Sequence, residues 1–161
     1  MPNSNIISQV VKIENTDKKA ATHFAICNGS HLRYLIDLNG GAKRLSKNIS
    51  TYSKKLTMLM YFIDIIPFSL LSSMNLGRFV KPELDSEVEA CRRITQKKYW
   101  NMIVGTYDEK QKIVLQCFNT SENADFIKIG NAATEKEMNA EISFLQQKRV
   151  YSTFDVPQLL G

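Results

Sequence analysis

Lys128 stands between Ile127 and Ile129, and Glu141 follows it by thirteen residues, next to Ile142 in a stretch of helical periodicity. In a strand, alternate side chains point to opposite faces. Lys128 therefore turns its ammonium toward a cleft or water while both isoleucines pack on the other side. A cation so placed, and held by an acid on a facing helix, can orient the phosphates of a nucleotide. Glu141 is the expected holding acid, and Glu137, one turn earlier on a similar face, is the alternative partner. A plain surface ion pair would explain the same two residues and contribute little energy. The functional reading gains from order: hairpin, lysine strand and acidic-capped helix agree.

Those elements are legible around the pair. Met102-Ile103-Val104 and Ile113-Val114-Leu115 are apolar runs separated by Asp108-Glu109-Lys110, the pattern of a hairpin. Ala124 to Ile129 reads as a third strand, ended by Gly130-Asn131. Thr134, with Glu137 three residues on, predicts a helix start closed by a capping box. Met138, Ile142 and Leu145 share one helical face, which is expected to bury against the sheet. Val150 to Phe154 reads as the beginning of a fourth strand.

Upstream, residues 1–22 fit a short strand or an amphipathic turn. Thr22–Ile26 and Leu32–Leu38 predict two strands around Asn28-Gly29-Ser30, and Asn39-Gly40-Gly41 ends the second. A mixed basic and apolar helix is expected from Ala42, and Leu56 to Leu71 is the most apolar segment. Asp64 and Pro67 interrupt it, so no transmembrane span is expected. A buried helix ending near Ile66 is favoured, with peripheral membrane contact through residues 54–71, or a partner interface, as alternatives. Ser72 to Lys81 reads as connection. Pro82 to Ile94 reads as a helix, with acids in its first turn and Arg92 and Arg93 near its end.

The chain has 161 residues, 43% of them apolar, which suits folded material with a real core. Its charge of +5 is mild, and nine of the lysines and arginines lie in the first sixty residues against three acids. Solvated basic faces explain the sets Lys43–Lys55 and Arg92–Lys98 better than nucleic-acid binding does. Cys27, Cys91 and Cys117 show no zinc or disulfide spacing and suggest a reduced, cytoplasmic protein. No metal site is assigned from the spacing of the cysteines and histidines, and no Walker loop or Rossmann glycines occur. Ser30, His31 and Asp37 are close in sequence, which is not triad geometry.

The segment Phe126-Ile127-Lys128-Ile129-Gly130, followed by Glu137-Met138-Asn139-Ala140-Glu141-Ile142-Ser143-Phe144-Leu145, resembles the small lobe of the aminoglycoside-phosphotransferase-like branch of the protein-kinase-like fold. The resemblance implies that Lys128 binds ATP phosphates and that Glu141 pairs with it. It matches Ile103-Val104-Gly105-Thr106-Tyr107 to the first strand and the start of the nucleotide loop. Val156-Pro157-Gln158-Leu159-Leu160 would approach the next strand. Gly105 stands alone where protein kinases carry several loop glycines, a departure shared by the aminoglycoside branch. No later segment supplies the catalytic aspartate or the metal-binding asparagine and aspartate, so no catalytic residue is assigned and the metal, including Mg, is left open.

The resulting expectation is an α+β chain. Residues 1–95 form an arm with a hairpin and mostly helical character. Residues 96–161 form a small antiparallel sheet with one packed helix, an incomplete kinase-like small lobe. Such a chain would hold part of ATP, with Lys128 and Glu141 as its cofactor-binding residues, and would require a further C-terminal lobe or partner for phosphoryl transfer. The apolar end of the chain fits either a stop within a domain or a closing strand. The alternative function is a non-catalytic module that docks a protein or membrane surface.

Overall fold

A computed structural model describes residues 6–48, 65–119 and 123–148. The expected strand at Val150–Phe154, the chain end and most of the apolar segment before Ile65 lie outside these residues. Helix α1 (Ile6–Val10) leads into β1 (Val11–Asn15), followed by β2 (His23–Asn28) and β3 (His31–Asp37). Then come α2 (Gly41–Asn48), α3 (Phe68–Ser73), β4 (Arg78–Leu84) and α4 (Ser86–Ile94). The described chain continues through β5 (Tyr99–Val104), β6 (Ile113–Phe118), β7 (Asp125–Ile129), a 3-10 turn at Ala132–Thr134 and α5 (Glu135–Lys148). The seven strands form one sheet in the order β1-β4-β2-β3-β5-β6-β7, with every neighbouring pair antiparallel.

Both faces of the sheet centre are covered, which is why β2 and β3 read as nearly unbroken apolar runs. Ala25, Leu35, Met102 and Leu115 point to one face, where Ile6, Ile7 and Val10 of α1 pack on them. Phe24, Ile26, Tyr34 and Ile36 point to the other, under Leu45 of α2 and Leu71 of α3. Phe24 meets Phe68 and Phe79 at ring separations of 4.9 and 5.2 Å. Burying each such side chain contributes about 1.5–3 kcal/mol.

Polar groups are also buried at the centre, and they are matched. Asn101 accepts from the Asp37 backbone N–H at 2.9 Å and donates to the carbonyl of Gly41 at 2.9 Å and to Gln116 Oε1 at 2.8 Å. A Cβ on Gly41 would collide with Asn101 Oδ1, so only glycine lets α2 start this close to β5. His23 is buried, with Nε2 3.0 Å from the Trp100 carbonyl and Nδ1 2.9 Å from Thr22 Oγ1. Its contact with Asp37 Oδ2 is longer, 3.8 Å. The neutral ring that donates from Nε2 satisfies both short contacts.

Several expectations are corrected. The sheet is not small, and the region before residue 95 is not mainly a helical arm: it supplies four strands, and β3 pairs with β5 across that boundary. Strand β4 runs through the stretch expected to be connection and through Pro82, where a helix was expected to begin. Proline is tolerated because Pro82 faces Ile13 of edge strand β1, while the pairing of β4 with β2 stops at Val80. The following helix starts only after Asp85, whose carboxylate accepts from the Glu87 N–H. At Pro67 the expectation stands: Ile65 is helical, Ile66 and Pro67 are not, and a new helix, α3, begins at Phe68. The mixed α+β character, the β2–β3 hairpin with Gly29 at φ +60°, and β5 to β7 match expectation.

Burial lowers the His23 pKa from the ordinary 6.5, against the pull of Asp37 and the Trp100 hydrogen bond. The native state then binds fewer protons than the unfolded chain just below pH 6.5. His23 thus contributes stability above that pH, and it is lost as the pH falls from 6.5 toward the lowered native value. His23→Gln should flatten this part of the pH dependence in urea unfolding followed between pH 7.5 and 5. Equal slopes in the two proteins would refute the assignment.

Candidate functional site

Lys128 and Glu141 are brought together: Lys128 Nζ donates to Glu141 Oε1 across the gap between β7 and α5. Both side chains are about half exposed, 48% and 43%. The strand alternation is as expected, with Ile127 and Ile129 against the core periphery and Lys128 on the opposite face.

Glu137 makes a separate contact. Its Oε1 accepts from Lys110 Nζ at 2.6 Å and its Oε2 from Lys112 Nζ at 2.8 Å. The arrangement follows from register. Val114 pairs with Lys128, so Lys112 shares a face with Lys128 as its diagonal neighbour, a spacing of about 7–8 Å. Glu137 and Glu141 lie one helical turn apart, about 5–6 Å between Cβ atoms. The two spacings let Glu137 meet Lys110 and Lys112 while Glu141 meets Lys128. Lys110 and Lys112 were not evident as site residues in the sequence. Their alternate spacing at a hairpin end gains meaning only when the β6–β7 register sets them beside Lys128.

Among the described side chains, α5 meets the rest of the fold mainly through charge. Met138 is half-buried, but Ile142 is exposed, as is Phe144. The side chain of Leu145 lies outside the described residues. The expected packing of the Met138–Ile142 face against the sheet is therefore corrected. The predicted capping box is also absent: Thr134 lies in the 3-10 turn and its hydroxyl donates to the Asn131 carbonyl at 2.8 Å. A Cβ at Gly130 would strike Thr134 Oγ1, so glycine permits the tight fold-back that starts α5 directly after β7.

The β5–β6 loop is fastened on two flanks. Arg33 Nη1 donates to the Gly105 carbonyl at 2.8 Å, and His31 stacks on Tyr107 with ring centres 4.1 Å apart. On the other flank, Asn131 Nδ2 donates to the Glu109 carbonyl at 2.9 Å. His31 and Asp37 stand at opposite ends of β3, which excludes their use in one triad. Among the described residues no group of His, Cys, Asp and Glu is arranged to hold a metal ion. Within the second basic set, Arg92 makes two short contacts with Glu89 and Lys97 approaches Asp125, while Arg93 is 76% exposed. No helix among the described residues is long and apolar enough to cross a membrane.

Hydrogen bonds from Lys110 and then Lys112, reinforced by their charges, lower the Glu137 pKa to about 2. Its favourable contribution is present above the ordinary carboxylate range and is lost as the pH falls through about 2. A carboxyl-carbon NMR titration at low salt should place the Glu137 midpoint near 2, and Lys110→Ala with Lys112→Ala should return it toward 4.5. An ordinary midpoint in the parent protein would show that the two contacts do not persist in solution. Comparisons with protein-family models, curated proteins and solved structures find no match to the chain.

Proposed function

We propose that this chain carries the nucleotide-phosphate-orienting element of a kinase-like phosphotransferase, with Lys128 as the phosphate-binding cation and Glu141 as its positioning partner. The supporting observation is the Lys128–Glu141 contact between β7 and the helix that follows it. The ligand class is a nucleoside triphosphate such as ATP. Phosphoryl transfer would draw its catalytic aspartates and metal-binding groups from a further lobe or a partner. The three free thiols are compatible with a reducing, cytoplasmic setting.

A second reading, an interaction module, is favoured by one feature. Ile65, Leu70, Met74 and Leu76 are each at least 49% exposed around α3. A protein or membrane surface could cover these side chains.

ATP titration followed by calorimetry separates the two. Saturable binding should weaken roughly 10- to 100-fold in Lys128→Ala, as expected for loss of a hydrogen bond to a charged group. Glu141→Gln should weaken it less, with unchanged circular dichroism in both variants. ATP affinity insensitive to Lys128→Ala would remove the first reading. Vesicle or partner binding abolished by Ile65→Glu would support the second.

A further inference from the structure

We infer that Glu137 is a tethered competitor for ligand phosphate: its carboxylate occupies Lys110 and Lys112 until one phosphate group of a polyphosphate chain displaces it. The inference rests on the reading of Lys128 as a phosphate-orienting cation and extends it to how that site is regulated. One carboxylate serves two ammonium groups, through Oε1 at 2.6 Å and Oε2 at 2.8 Å. A phosphate offers three acceptor oxygens and up to two negative charges to the same pair, so exchange strengthens both charge-assisted contacts. Lys112 meets Glu137 and Lys128 meets Glu141, one turn further along α5, so a polyphosphate chain that replaces Glu137 extends toward Lys128.

Exchange is also accessible. The side chains of Lys110, Lys112 and Glu137 are 63%, 36% and 43% exposed, so the carboxylate leaves for water rather than for a buried site. The remaining charged neighbours do not replace it: Asp108 is drawn into its own turn by Thr106 and the Lys110 N–H, and Glu141 is engaged by Lys128. Displacement removes the tie between the first turns of α5 and the end of the β5–β6 hairpin. The Asn131 contact to Glu109 and the Glu141 contact to Lys128 stay in place. Phosphate binding is thereby coupled to release of the loop from the helix.

Inorganic triphosphate titrated into the full chain at low salt, with ATP in parallel, tests the exchange. Loss of two exposed ion pairs predicts that Glu137→Gln binds triphosphate about 2- to 30-fold more tightly than the parent. In the parent, triphosphate should shift the Glu137 carboxyl-carbon NMR signal toward that of a free glutamate. Lys110→Ala with Lys112→Ala should abolish the gain conferred by Glu137→Gln. Equal or weaker affinity in Glu137→Gln, or no binding by either protein, overturns the inference. The Lys128 reading is judged separately by ATP: Lys128→Ala losing ATP while Glu137→Gln changes nothing retains that reading and rejects exchange. A gain from Glu137→Gln that persists in the Lys128→Ala background retains exchange and rejects the Lys128 reading.

Discussion

The short junction between β3 and β5 is the constraint on which the architecture depends. Only Tyr34↔Ile103 and Leu35↔Met102 pair there, yet this junction joins four strands on one side to three on the other. Asn101 reinforces it by bonding to the Asp37 backbone, to Gly41 and to Gln116. A hydrogen bond of this kind contributes about 1 kcal/mol net, but a buried group left unpaired costs about 1–3 kcal/mol. The network therefore matters most for what its absence would strand: a strand amide, a helix-start carbonyl and a glutamine in the interior. It also fixes where α2 begins, and α2 in turn seals one face through Leu45.

The candidate site is built on the opposite principle. At the β6–β7 end, the helix is held by exposed ion pairs and by a glycine that permits a close turn, with little apolar burial. Exposed pairs contribute about 0.2–1 kcal/mol each and are screened by salt. The core of the sheet is thus rigid, while the attachment of α5 is shallow in energy.

The buried His23 shows the same contrast at the other end of β2. Its ring lies against Trp100 with centres 4.2 Å apart and has both nitrogens engaged, so its chemistry serves the fold. Cys117 is similar: burial pushes its thiol up to about 11, which makes it a poor nucleophile. The exposed lysines and glutamates near α5 have the accessibility that these groups lack.

Local order was readable in the residues themselves. Alternation placed Lys128 away from Ile127 and Ile129, Asn28-Gly29-Ser30 marked the first hairpin, and the order of hairpin, lysine strand and acidic helix suggested a strand–helix pair. These features depend on neighbours in the chain, whose periodicity is set by backbone geometry. The width of the sheet was not readable, because β1 and β4 carry lysine, glutamate and proline and become strands only through long-range pairing, β1 with β4 and β4 with β2. Nor was the division of labour between Glu137 and Glu141, or the part played by Lys110 and Lys112. That choice belongs to the β6–β7 register and to the exposed docking of α5, since long-range pairing decides which charges meet while sequence spacing decides only which face they share.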